Sequence, residues 1–191
     1  MNMRIASVAV AFVAAFIATA CEKDLPVSAA DKDVVLRAAD LIPYGYGLEK
    51  TEPYESFKRI RYFDGSHELT YEFETPDSEE ENALYLNVTV SVEKSVSDAR
   101  TSHGAGIVGL NIGLKANGVE KREIKNFYSY GDDSQFFILE KDGHPIGNVF
   151  AVREGKRAFL LILSGMYFED AATFKELIEG RLRKFSAYTP T

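Results

Sequence analysis

The chain of 191 residues has no tryptophan, one cysteine and three histidines. A single cysteine, Cys21, excludes any disulfide within the chain, so the fold is held by packing alone. Thirteen phenylalanines and ten tyrosines supply the large apolar side chains that tryptophan does not. His67, His103 and His144 stand 36 and 41 residues apart, with no H-x-x-x-H or H-E-x-x-H spacing, so the sequence calls for no metal and no cofactor. Positive charge is also scarce. Twenty-two Lys and Arg face 29 Asp and Glu, for a net charge of −7, which argues against a nucleic-acid partner. Long apolar runs are absent apart from Ile5 to Ala18, which is shorter than the roughly 20 residues a membrane-spanning helix needs. No Gly/Ser-rich linker divides the chain, and its length suits one domain with a real core.

The N-terminus is what is there. Arg4 provides one positive charge, the Ile5–Ala18 stretch follows, and small residues Ala18-Thr19-Ala20 precede Cys21. This pattern closely resembles a bacterial lipoprotein signal peptide. It departs at Ala18, where leucine is commonest. The resemblance implies removal of residues 1–20, diacylglycerol transfer to Cys21 and acylation of the new amino terminus. The partner is then a lipid membrane reached through acylated Cys21. Glu22, in place of a retention aspartate, implies the outer membrane of an enteric-type cell, facing the periplasm. A plain secretory signal cut after Ala20 also fits Ala18-x-Ala20 and would leave a lone thiol. Cleavage removes Arg4 and moves the net charge from −7 to −8.

Residues 21–30 read as the lipidated cysteine and a short tether, and 31–191 as a single domain. Val34, Val35, Ala38 and Leu41 suggest a helix over 31–41, stopped by Pro43 and the Tyr44-Gly45-Tyr46-Gly47 run. Seven strands are expected: 57–63, 68–75, 83–92, 123–130, 135–140, 146–153 and 157–163. The turn-forming connectors between most of them imply antiparallel neighbours. A glycine-rich helix is expected from Val96, or a shorter helix followed by a strand over 107–114. Phe159-Leu160-Leu161-Ile162-Leu163 is apolar on both faces and reads as a central strand covered by helices. A last helix begins after Asp170, with Phe174, Leu177, Ile178, Leu182 and Phe185 as its apolar stripe. The expected class is α+β: a mostly antiparallel sheet of six to seven strands with two main helices on one face, the C-terminal helix last. This order, with the opening Ala38-Ala39-Asp40-Leu41-Ile42-Pro43, is loosely similar to the PsbP/LpqN-like α+β sandwiches.

Four features are candidates for chemistry. Gly104-Ala105-Gly106-Ile107-Val108-Gly109 matches G-x-G-x-x-G, but the preceding strand ends about ten residues too early for a dinucleotide turn, and small residues that let a helix pack tightly on the sheet explain it. Ser164 ends a strand without the glycine of a nucleophile elbow. Asp132, Asp133 and Asp142 offer oxygens without calcium-loop spacing. Tyr44, Tyr46 and Tyr54 stand in a Gly/Pro-containing loop, and Tyr128 and Tyr130 in a second. Exposed tyrosines anchor partners at small entropic cost, and the alternative is that they fold back over the sheet edge. These five form the candidate binding surface. The leading expectation is a non-enzymatic interaction module contacting an envelope protein. The alternatives are a small-ligand binder with a pocket between sheet and helix, and an envelope hydrolase using Ser164 or paired carboxylates.

Overall fold

The computed structural model describes residues 23–47, 51–75 and 83–190. Cys21 and the leader lie outside them. The sheet strands are β1 (Lys23–Asp24), β2 (Glu55–Arg61), β3 (His67–Glu74), β4 (Tyr85–Val92), β5 (Glu120–Glu123), β6 (Asp133–Lys141), β7 (His144–Glu154) and β8 (Arg157–Ser164). Their spatial order is β1-β2-β3-β4-β8-β7-β6-β5, with every neighbouring pair antiparallel. Two meanders, β1–β4 and β5–β8, therefore meet at the β4–β8 seam. The helices are α1 (Ala29–Val34), α2 (Val96–Ala116) and α3 (Ala171–Ala187).

The alternation in β3 and β4 does what period-2 patterning requires. Leu69, Tyr71 and Phe73 point to the same face as Leu86, Val88, Val90 and Val92, and all are buried. α3 covers this face. Phe174, Ile178, Leu182 and Phe185 are fully buried against Phe136, Phe150, Phe159 and Leu161, at about 2 kcal/mol for each large side chain taken from water. Asp170 caps the helix by accepting from the Thr173 N–H at 2.7 Å.

α2 lies on the other face. Leu110 and Leu114 pack with Phe137, Leu139, Val149 and Ile162, residues that alternate with those facing α3. The expectation of two helices on one face is therefore corrected: among the described residues three α-helices flank an eight-stranded sheet, with α2 and α3 on opposite sides. β8 is apolar on both faces because each face has its own helix. α2 packs on β5, β7 and β8. On the α2 side, β3 and β4 present the half-buried pairs Thr70–Thr89, Glu72–Asn87 and Glu68–Ser91.

Three further expectations change. The helix over 31–41 is α1, an extended stretch, and a 3₁₀ helix over Ala38–Tyr44. Val35 leaves the helix at φ −92°, ψ 148°, and the Arg37 N–H donates to Asp40 Oδ2 at 2.8 Å to start the 3₁₀ turn. The strand expected over 123–130 is β5, which ends at Glu123; Asn126 at φ 59° breaks the extended run, and Phe127 folds in to stack on Phe136 at 3.8 Å between centroids. α2 runs unbroken through its glycines, so no strand forms over 107–114.

Candidate functional site

The sheet has two ends, and they differ. At one end the chain enters β1, β2 turns into β3, β4 passes to α2 and β7 turns into β8. Register fixes this: Lys23 pairs with Arg61, His67 with Val92, and Val92 with Arg157. At the other end lie Glu55–Phe73, Glu74–Tyr85 and Tyr85–Ser164.

Tyr44, Tyr46 and Tyr54 gather at this second end. Tyr44 packs edge-on against Phe168 at 5.6 Å. Tyr46 and Tyr54 meet Phe73 edge-on at 5.9 and 6.4 Å. Tyr44 and Tyr46 are half-buried, while Tyr54 keeps 37% exposure. Burial pushes the Tyr46 hydroxyl up to about 12, and that oxygen has no hydrogen-bond partner among the described residues.

Tyr128 and Tyr130 flank α3. The Tyr128 ring lies 5.8 Å from Phe150 and 6.2 Å from Phe174, and burial raises its pKa. The Tyr130 hydroxyl shares a 2.7 Å hydrogen bond with Ser186 near the C-terminus of α3. Tyr44 reaches the same cluster, because Phe168 touches Phe174 at 6.1 Å. Tyr44 and Tyr128 thus approach opposite flanks of one aromatic core. Tyr130 stands toward the first end of the sheet, away from Tyr46 and Tyr54.

The remaining candidates lie elsewhere on the fold. Asp132 accepts from Arg153 Nη1 and from the Gly155 N–H, both at 2.8 Å, and these hydrogen bonds lower its pKa. Asp133 stands 3.7 Å from His103 Nε2. Burial lowers the His103 pKa, with Arg153 adding to the effect and Asp133 opposing it. Among the described residues no group of three His, Cys, Asp or Glu is arranged to hold a metal. Ser164 lies opposite Tyr85 and Gly147, and no histidine or carboxylate among the described residues is hydrogen-bonded to it. The glycines of the G-x-G-x-x-G run sit inside α2. A Cβ at Gly104, Gly106 or Gly109 would meet nothing within 4 Å, so close packing on the sheet, the explanation expected from sequence, does not account for them.

Sequence reading missed two ionic clusters, one buried and one half-buried. Asp31 and Arg59, with side chains 2% and 4% exposed, lie 3.2 Å apart, and the Tyr188 hydroxyl donates to the second carboxylate oxygen of Asp31. Burial acts to raise the Asp31 pKa, but hydrogen bonds from Tyr188 and Ser28 and the charge of Arg59 outweigh it and hold the carboxyl below its ordinary value. Arg37 Nη2 donates to Glu55 Oε2 at 2.6 Å, and the Tyr71 hydroxyl bridges Glu55 and the Ala38 N–H. Both clusters fasten the segment before β2 to the α3 face of the sheet. A separate open depression of about 480 Å³ lies beside the C-terminus of α2, lined by Asn111, Leu114, Lys115 and Glu120 among others.

Comparison with protein-family models, curated proteins and solved structures finds no match for this chain.

Proposed function

We propose that this protein is a bacterial envelope lipoprotein, acylated at Cys21, whose folded domain is a non-enzymatic interaction module. The observation that carries the reading is the run Ile5–Ala18, then Ala18-Thr19-Ala20, ending on the one cysteine of the chain. Geometry supports it in two respects. The chain is already paired to β2 at Lys23, two residues after Cys21, so the domain stands directly at its anchor. The Tyr44, Tyr46 and Tyr54 group sits at the opposite end of the sheet, where an envelope partner has access to it. Among the described residues no helix is long and apolar enough to cross a membrane.

In-cell photocrosslinking from position 54 tests the interaction half of this reading. A dominant covalent adduct with one envelope protein is the expected result. Adducts no more abundant than those from the exposed α2 position Arg100 would refute the tyrosine surface.

A further inference from the structure

Among the described residues Phe63 is the most exposed large apolar side chain, at 83%, and it sits at the tip of the β2–β3 turn. Isolated exposed apolar residues are ordinary on a protein surface. The placement of this one is not. β1 and β2 are antiparallel, so the chain enters β1 from the end at which β2 leaves for the turn. Lys23 is paired with Arg61, two residues before Phe63. Two residues of extended chain reach at most about 7 Å, which bounds both the Cys21–Lys23 and the Arg61–Phe63 separations. With about 5 Å across the strand pair, Phe63 lies within about 20 Å of Cys21 along this path.

The turn holds Phe63 firmly. The Tyr62 N–H donates to the Ser66 carbonyl at 2.9 Å, and the Gly65 N–H to the Tyr62 carbonyl at 3.0 Å. Asp64 Oδ1 accepts from both the N–H and the hydroxyl of Ser66, at 3.0 and 2.6 Å. Gly65 takes φ 88°, which closes the turn without strain. Lys94 pairs with Asp64 at 3.6 Å, and this brings a second exposed apolar residue, Val96 at 46%, to the same end. The end therefore presents two apolar tips among charges of both signs: Lys23, Arg61 and Lys94 with Asp24, Asp64 and Glu93. Such a surface suits the headgroup layer, where apolar side chains enter the acyl boundary and charged ones stay wet.

We propose that the β2–β3 tip, led by Phe63, seats in the membrane interface beside the acyl chains on Cys21. This inference rests on acylation of Cys21. It fixes the orientation of the domain: the sheet strands stand on the bilayer, and Tyr54, at the far end of β2, is carried about 20 Å above it. The acyl chains on Cys21 supply the attachment, and the apolar tip beside them adds a second contact that sets the orientation.

The chain has no tryptophan, so Phe63→Trp and Tyr54→Trp each install a single tryptophan, excited selectively over the tyrosines, at an exposed position. The full-length lipoprotein carrying either change is purified from membranes. It is reconstituted into phosphatidylethanolamine/phosphatidylglycerol vesicles with or without brominated acyl chains. Flotation of the protein with the vesicles is read first. The expected result is flotation of both variants, with a blue-shifted F63W emission that loses about half its intensity to brominated lipid, as burial of 5–10 Å into the boundary predicts. Y54W emission is unchanged by the vesicles and is not quenched by brominated lipid. Flotation with F63W still at the aqueous emission overturns the seating and leaves the anchor intact. Absence of flotation overturns the anchor, and the seating with it.

Discussion

Asp31→Asn removes the charge that faces Arg59 in the interior, and the structure sets the size of the loss. Both side chains are at least 96% buried, and the carboxylate is shared by Arg59, Tyr188 and the capping box of α1 through Ser28. Removing one partner of a buried ion pair leaves the other charge uncompensated and costs about 3 kcal/mol or more. For a domain of this size that lowers the unfolding midpoint by about 6–12 °C. Asparagine retains the hydrogen-bonding shape, so the change is mostly one of charge. The pH dependence follows from the depressed carboxyl. The stabilisation is fully present above the unfolded value of about 3.9 and is lost as pH falls through the lower folded value. Thermal and urea denaturation of residues 22–191, followed by circular dichroism, measure both effects. The wild type is expected to lose part of its advantage over Asp31→Asn on acidification. Arg59→Met in the Asp31→Asn background should restore part of the loss, because it removes a cation that has lost its buried carboxylate. A loss below about 0.5 kcal/mol for Asp31→Asn would refute the reasoning, since that is the range of inconsequential surface changes.

Three further outcomes are expected. Gly104→Ala and Gly109→Ala should each stabilise α2, by up to about 1 kcal/mol, because the added methyl meets open space and helix propensity rises; a loss of stability from either would mean that the glycine is needed there. Gly147→Ala should do the reverse, since its Cβ would lie 2.0 Å from the Leu163 carbonyl oxygen and force β7 and β8 apart. Burial depresses the folded-state pKa of His103, so its contribution to stability is complete above the unfolded value of about 6.5 and falls as pH drops from there toward the folded value. Denaturation profiles of His103→Leu should show a shallower decline than wild type over that window, and an unchanged slope would remove His103 from the account.

Local patterning made the sheet and α3 legible. Strands such as β3 and β4 alternate cleanly because each has one dry face, and α3 carries a stripe at helical spacing. The run 159–163 is apolar on both faces. A strand apolar on both faces needs cover on both, which already places two helices on opposite sides of the sheet. The N-terminal segment misled for a physical reason. Val34, Val35, Leu36, Ala38 and Leu41 are all buried, but in a helix end, an extended stretch and a 3₁₀ turn, and burial spacing alone does not separate these from one long helix. Phe127 misled likewise, entering the core from a loop rather than a strand. The ionic clusters were out of reach because their members are far apart in sequence, 28 residues for Asp31–Arg59 and 157 for Asp31–Tyr188. Of the tyrosines, local sequence suggested two loops. It did not place Tyr46 and Tyr54 on Phe73, or Tyr44 and Tyr128 on either side of Phe168 and Phe174.

The proposed function depends most on the chemical state of Cys21. Mass spectrometry of the N-terminal peptide, from protein extracted out of the membranes of its own cells, reads that state directly. The account predicts a peptide that begins at Cys21 and carries a thioether-linked diacylglycerol and an N-acyl chain. A peptide that begins at Cys21 with a free thiol, or one that retains residues 1–20, would contradict it.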